Sequence, residues 1–129
     1  MDGATDSRYA TVTRVSGDSR YTGFWFFGAE QFDASNRYAL AMTVRIKDRD
    51  VTKDDVGDIG YIDLKEGNRW TKIGTTTAGN WQQGCRLEWI PGSADEIIWD
   101  DRSDDGKSFV SRIYNTQTKE TRTLPRPVY

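Results

Sequence analysis

The sequence has no histidine, a single cysteine and three prolines among its 129 residues. Without histidine the chain lacks the commonest general base and the commonest transition-metal ligand. One cysteine cannot form an internal disulfide, so cysteine usage does not indicate a redox compartment. No apolar run approaches the roughly 18–20 residues of a membrane-spanning helix. Residues 1–6 lack the basic and apolar regions of a signal peptide. We therefore expect no membrane partner and leave the compartment open.

The net charge of the chain is also small. The chain carries 18 basic and 20 acidic residues, for a formal net charge of -2. This balance gives no strong field for nucleic acid, and no residue pattern implies a metal or another cofactor. Aromatic residues, in contrast, make up 12% of the chain, with five Trp, six Tyr and five Phe. Residues of this type favour half-buried strands and argue against disorder outside the chain ends.

An internal repeat organises the sequence. Residues 25–36 and 81–93 both begin with Trp-x-x-Gly and continue to a large aromatic residue followed by a turn. Phe32 corresponds to Trp89 at a spacing of 57 residues, and Asp63 corresponds to Asn115 at a spacing of 52. The difference lies mostly in the longer loop at residues 47–58. A repeat of this length decides the fold before any local assignment does.

Alternating and β-branched segments predict the same strand order in each copy: short strand, tight turn, strand, longer loop, strand, tight turn, strand. The repeat therefore predicts an all-β fold of two four-stranded antiparallel propeller blades plus an N-terminal strand. A β-sandwich is the competing fold, since a similar number of short strands suits it. The predicted units are an N-terminal tail and strand (1–23), blade 1 (24–79) and blade 2 (80–129). The predicted strands are 8–15, 29–32, 37–46, 59–64, 70–76, 84–90, 96–99, 108–114 and 120–124.

Three segments resemble a known group. The turn and apolar strand at residues 32–41, its counterpart at residues 89–93, and the tract at residues 62–68 resemble the blades of TolB-like propellers. Among these, the oligogalacturonate-lyase-like propellers are the most similar in character. The resemblance covers about residues 24–129 and implies fold more strongly than activity. The pectate-type lyases of this group use a metal site rich in histidine, which this sequence does not contain.

The resemblance also implies that the two blades need partners. Propellers of this group close with six to eight blades, and a blade buries its faces only against neighbouring blades. We therefore expect the chain to assemble with itself into a closed ring, with a trimer favoured, or to belong with further blades of a longer chain. The strand at residues 8–15 either completes a neighbouring blade or forms part of its own sheet.

The long loops of the two predicted blades fall on one rim, where binding residues concentrate. The loops are residues 22–28, 47–58, 78–83 and 100–107. An indole face with several amides suits a saccharide or a peptide. Packing of Trp81 between blades, with the amides bonded to loop backbone, is the commoner fate of such residues. The candidate ligand-binding residues are Asn80, Trp81, Gln82, Gln83, Trp25 and Arg86.

Several other residues are weaker candidates for a metal-binding, ligand-binding or nucleophilic role. Residues 100–107 hold four carboxylates, but without the spacing of a calcium-binding loop, so a solvated hairpin loop is favoured. Arg86 and Arg112 either bind a carboxylated ligand or pair with Glu88 or Asp63. Cys85 is expected to be a buried apolar residue, since no histidine is present to activate it.

Three functions remain open from the sequence. The first is a non-catalytic propeller segment that binds a carbohydrate or peptide or acts as a scaffold. The second is part of a polysaccharide lyase whose catalytic residues lie outside this chain. The third is a protein-interaction module that uses open blade faces. No catalytic constellation is recognisable in the sequence, so we expect this chain alone not to be an enzyme.

Overall fold

The computed structural model describes residues 11–17, 21–23, 29–46, 48–80 and 84–128, and within these ranges the chain forms strands and no helix. Several turns between strands contain a residue whose backbone lies in the left-handed region of φ, for example Asn36 with φ 57° and Gly92 with φ 83°. The strands are β1 (Tyr21–Gly23), β2 (Tyr38–Val44), β3 (Gly57–Asp63), β4 (Arg69–Thr76), β5 (Glu88–Trp89), β6 (Glu96–Arg102), β7 (Phe109–Asn115) and β8 (Thr121–Leu124).

The strands form two four-stranded antiparallel sheets, each built from consecutive strands. Sheet I has the order β1-β2-β3-β4, and sheet II has the order β5-β6-β7-β8. In the described part of the chain no strand crosses from one sheet to the other, as a Greek-key sandwich would require. The all-β prediction and its two four-stranded antiparallel sheets are confirmed.

Both sheets share one pairing register. In each sheet the aromatic residue before the tight turn pairs with the second residue of the next strand. The first residue of that strand pairs with the turn residue that ends the third strand. Positions in sheet I and sheet II can therefore be matched one to one. The matched pairs are Phe32 with Ala39 and Trp89 with Ile97, then Tyr38 with Asp63 and Glu96 with Asn115.

A shared apolar core lies between the two sheets. Trp99 is its largest fully buried side chain, and its indole N–H donates to the Thr75 carbonyl at 3.1 Å. The ring fits over Gly74, where a Cβ atom would lie 2.7 Å from it. The buried core residues are Leu40, Met42, Val44 and Ile59 from sheet I, with Cys85, Leu87, Trp89, Ile97, Trp99 and Tyr114 from sheet II and the segment before it.

The two sheets meet through opposite faces. By the matched register, Leu40 and Met42 of sheet I correspond to Ile98 and Asp100 of sheet II. Leu40 and Met42 lie in the shared core, whereas Ile98 and Asp100 do not. Sheet II instead turns the alternate set, including Trp99, toward sheet I. The arrangement is therefore head-to-tail, and the face of sheet II that matches the core face of sheet I points away from sheet I.

We call that surface the outer face of sheet II, defined by Ile98, Asp100, Ser111, Ile113 and Leu124. The C-terminal segment crosses it. The Ser111 hydroxyl donates to the Arg126 carbonyl at 2.7 Å, and the Val128 N–H donates to the Asp100 carboxylate. The face is thus partly covered, while Leu124 at its edge remains 39% exposed.

The opposite surface of sheet I is also partly covered. Ala41 and Ile62, which face away from the shared core, are 4% and 5% exposed. Residues 15–17 lie beside Ile62 and Trp70 at a recess on this surface. Segments of the same chain therefore lie across part of each of these two surfaces.

Strand boundaries differ from the sequence-based prediction at three places. Tyr21–Gly23 pairs with β2, although the sequence places residues 1–23 before the first blade. Phe32, at the end of the predicted strand 29–32, makes only an isolated bridge. β6 continues through Asp100 and Asp101 into the predicted acidic loop. Of the predicted N-terminal strand, residues 8–10 lie outside the described ranges and residues 11–15 form no continuous strand, so it stays a prediction.

Candidate functional site

A cleft of about 350 Å³ opens between the loop that joins β2 to β3 and the segment that follows β4. We call it the rim cleft. Its floor is formed by the end of β2 and the start of β3, which bring the core face of sheet I to the surface. Its lining residues are Met42, Val44, Arg45, Ile46, Val51, Asp54, Asp55, Val56, Gly57, Asp58, Thr76, Gly79 and Asn80.

The loop on one side of the cleft is organised by Asp55. Its carboxylate accepts two hydrogen bonds from Arg49, at 2.8 and 2.7 Å. It also accepts the N–H of Thr52 at 2.8 Å. These bonds, those from Arg49 foremost, hold the pKa of Asp55 far below its usual value. A charged carboxylate near the end of the loop therefore ties it to Arg49 and Thr52 earlier in the loop.

Two glycines allow the Met42 side chain to lie in the floor. A Cβ atom on Gly57 would lie 2.9 Å from the Met42 sulfur, and one on Gly79 would lie 3.4 Å from its methyl carbon. A larger residue at position 57 would push Met42 out of place. At position 79 the added atom would make ordinary contact and narrow the cleft.

The other side of the cleft is anchored to sheet II. The Thr76 hydroxyl donates to the Asp100 carbonyl at 2.6 Å, and the Thr77 N–H donates to the Asp101 carboxylate at 3.0 Å. Arg102 donates to the Thr77 carbonyl at 3.2 Å. The segment after β4 therefore links the β2–β3 loop on one side to the end of β6 on the other. Parts of the predicted loops 47–58 and 78–83 therefore line the cleft, and the start of residues 100–107 is bonded to the adjacent residues 76 and 77.

The predicted ligand-binding residues are only partly described. Asn80 lines the cleft, and its backbone forms a reciprocal pair of hydrogen bonds with Gly84, at 3.1 and 2.9 Å. Arg86 is half-buried with φ 58° and does not line the cleft. The remaining candidates, Trp25, Trp81, Gln82 and Gln83, lie outside the described residues.

Sequence reasoning missed the apolar lining of the cleft. Val51 and Val56 stand alone in a charged loop, and isolated apolar residues in such a loop were the available signal. Met42 and Val44 were assigned only to a strand. Their exposure to a cleft depends on where the strand ends and which loop folds back over it.

The Arg112 side chain forms ion pairs within sheet II and the loop that joins β6 to β7. It donates to Asp101 at 3.0 Å and to Asp104 at 3.1 Å. Burial disfavours its charged form, but these carboxylates outweigh that effect and raise its pKa. The predicted pairing of Arg112 with Glu88 or Asp63 is therefore wrong. Asp63 instead takes two hydrogen bonds from Arg37, both at 2.9 Å.

Cys85 is buried in the shared core at 2% exposure, as expected for an apolar packing residue. Burial raises the pKa of its thiol far above the usual value, with a further contribution from the Asp100 charge. A thiol in this state is no nucleophile at neutral pH.

In the described ranges no group of three or more cysteine or acidic side chains is placed to hold a metal ion. The carboxylates of the acidic loop after β6 are bonded to protein groups: Asp105 accepts from the Ser103 hydroxyl at 2.6 Å. The same ranges contain no helix long and apolar enough to span a membrane.

The fold and site define an all-β protein of two head-to-tail, four-stranded antiparallel sheets with a cleft at one rim. Comparison with known protein families, with curated proteins and with solved structures finds no match for this chain.

Proposed function

We propose that the chain forms two successive blades of a β-propeller of the TolB-like kind and serves as a non-catalytic ligand-binding module. The observation that supports this most is the head-to-tail relation of the two sheets. A two-fold sandwich would bury matching positions from both sheets. Here the shared core takes Leu40 and Met42 from sheet I but leaves their counterparts, Ile98 and Asp100, on the outer face of sheet II.

A head-to-tail contact has a structural consequence. Because the two surfaces in contact differ, each added unit presents the same surface again, and the series ends only when a ring closes. The outer face of sheet II is the surface to which the next unit would dock. Its partner is the surface of sheet I that carries Ala41 and Ile62, either in another copy or in a further blade of a longer chain.

Volume complementarity supports docking of a second copy. In the shared core the large Trp99 fits over the small Gly74. By the matched register, Leu124 stands where Gly74 does and Ala41 stands where Trp99 does. The new contact would therefore again join a larger residue with a smaller one. Residues 15–17 beside this surface of sheet I, and residues 126–128 across the outer face of sheet II, would have to shift when the ring closes.

The ligand would bind at the rim cleft. Propeller-type assemblies bring the loops of one rim together, and the structure joins the 48–56 loop, the 76–80 segment and the end of β6 on one side. A saccharide or a peptide is the ligand class that the sequence suggests. Asn80 connects the cleft to the predicted residues Trp81, Gln82 and Gln83.

Binding assays on the purified chain test the function. We expect saturable binding when the chain is titrated with a panel of oligosaccharides and peptides and the titration is monitored by tryptophan fluorescence. Trp81→Ala should abolish that binding with little change in thermal stability, whereas Trp70→Ala, on the opposite surface of sheet I, should leave it intact. Unchanged affinity in Trp81→Ala would remove the loop at residues 80–83 from the site.

A protein-interaction module is the second candidate, and one observation favours it. The outer face of sheet II retains partly exposed apolar side chains at its edge, Phe109 at 49% and Leu124 at 39%. Such side chains suit a protein partner. A heteromeric complex formed without any rim ligand would favour this function over ligand binding.

A further inference from the structure

The rim cleft has an aliphatic wall. Its described lining includes Met42, Val44, Ile46, Val51 and Val56 and no aromatic side chain. Val56 is 52% exposed, so an apolar surface is presented to solvent at the entrance. Saccharides usually require a flat ring face for stacking, whereas branched aliphatic side chains and a thioether form a rounded surface suited to another aliphatic group.

Two of the four charged side chains that line the cleft are paired within the protein. Asp55 is bonded to Arg49 at 2.7 Å, and Asp58 lies 3.3 Å from the Lys72 ammonium. Two charged side chains of the lining, Arg45 and Asp54, make no hydrogen bond or ion pair with the rest of the described chain. One supplies hydrogen-bond donors and the other supplies acceptors.

We propose that the rim cleft binds an extended peptide segment by inserting one aliphatic side chain, such as leucine, against Met42, Val51 and Val56. The peptide carbonyl and N–H groups that flank this side chain bond to Arg45 and Asp54. This inference rests on the proposed ligand-binding function of the rim and selects peptide over saccharide as its ligand.

The size of the cleft agrees with this occupant. At about 350 Å³ it lies at the small end of ligand sites, which range from about 300 to 1,000 Å³. A single side chain with its adjoining peptide groups fits such a volume. A long oligosaccharide would extend beyond it.

Methyl NMR on the full chain tests the proposal. Two capped tripeptides serve as probes, acetyl-Ala-Leu-Ala-amide and acetyl-Ala-Asn-Ala-amide, because leucine and asparagine have nearly the same shape. The leucine peptide should shift the methyl signals of Met42, Val51 and Val56 saturably. The asparagine peptide should bind roughly tenfold more weakly or worse, because burial of the aliphatic group is lost.

Variants check the location. Val56→Ser should weaken binding of the leucine peptide several-fold, and Gly79→Val, which narrows the cleft, should weaken it further. The matched control is Val12→Ser, another exposed valine that lies outside the cleft, and it should leave affinity unchanged. Proton spectra of each variant confirm that it is folded before it is titrated.

Three outcomes would overturn the inference. If oligosaccharides but not peptides shift the cleft methyl signals, the peptide assignment fails while the proposed rim function stands. If the two tripeptides bind equally, or shift only signals outside the cleft, the aliphatic-insertion mode fails. If neither peptides nor oligosaccharides bind anywhere on the folded chain, the proposed ligand-binding function fails together with the inference.

Discussion

At the scale of single residues, matched positions carry different chemistry. Asp63 and Asn115 both end the third strand of their sheet. In the following turn the Asp63 side chain accepts one backbone N–H and the Asn115 side chain accepts two. Only Asp63 also binds Arg37 through two hydrogen bonds. The equivalence of the two positions was predictable from the repeat. The partner of Asp63 was not, because Arg37 reaches it across neighbouring strands.

This difference predicts a pH effect. Arg37 holds the pKa of Asp63 below its usual value in the folded state. The pair therefore contributes its full stability above the unfolded-state pKa of about 4 and loses it as the pH falls through the lower folded-state pKa. Asp63→Asn should unfold at lower urea concentration than wild type at pH 7, and the gap should narrow below about pH 4.

Asn115→Asp is the matched control, because Asp at this position keeps the acceptor for the turn N–H groups. It should change the urea midpoint at pH 7 much less than Asp63→Asn does. If Asp63→Asn unfolds at the wild-type midpoint at every pH, the Arg37–Asp63 pair contributes no stability.

Cys85 gives a second prediction at this scale. Because its thiol is buried and its pKa is raised, the native protein should react with an aromatic disulfide reagent many times more slowly than the urea-unfolded chain. Absorbance of the released thiolate follows the reaction. Equal rates in the two states would show that the thiol is accessible and that the shared core is open.

At the scale of the elements, the sequence located most strands but not all of their ends. β7 was predictable because valine, isoleucine and two aromatic residues, which favour strands, make up most of it. β6 extends past its predicted end because the carboxylates of Asp100 and Asp101 are satisfied by Val128, Thr77 and Arg112. These partners come from distant segments of the chain. The local sequence therefore predicted a loop for the acidic stretch at residues 100–107. The apolar floor of the cleft was missed for the same reason.

The contact between the sheets is tested at Gly74 in β4. An added methyl group would lie 2.7 Å from the Trp99 ring, so Gly74→Ala overpacks the shared core. We expect it to reduce the free energy of unfolding by about 1–3 kcal/mol. Urea denaturation monitored by tryptophan fluorescence measures this change.

Gly17→Ala serves as the control for that substitution, since no atom of the described residues lies within 4 Å of an added Cβ atom at position 17. Its unfolding free energy should stay within about 0.5 kcal/mol of wild type. Comparable losses in the two variants would mean that the sheets do not pack as described.

At the scale of the whole molecule, the sequence predicted a duplicated four-stranded unit, and the two sheets with matched registers agree with it. The sequence did not predict which segments lie across the outer face of sheet II and the surface of sheet I that carries Ala41 and Ile62. Residues 15–17 and 126–128 lie there through contacts that no local pattern encodes, such as the Ser111 hydroxyl on the Arg126 carbonyl.

A substitution that introduces a charge tests whether the chain assembles through the outer face of sheet II. Leu124→Lys places an ammonium group at the edge of this face, where the side chain is already 39% exposed, so the fold should tolerate it. It should prevent association. Val56→Lys, at an exposed valine in the rim cleft, should not. Association that persists in Leu124→Lys would place the interface elsewhere.

The mass of the purified chain in solution, measured by light scattering after size exclusion, tests the head-to-tail account most directly. If outer faces of this kind must be covered by matching sheets, the particle should weigh three times the chain mass of 14.7 kDa, as expected for a ring of six sheets. A single chain of 14.7 kDa that melts cooperatively and shows full strand content by circular dichroism would contradict the account.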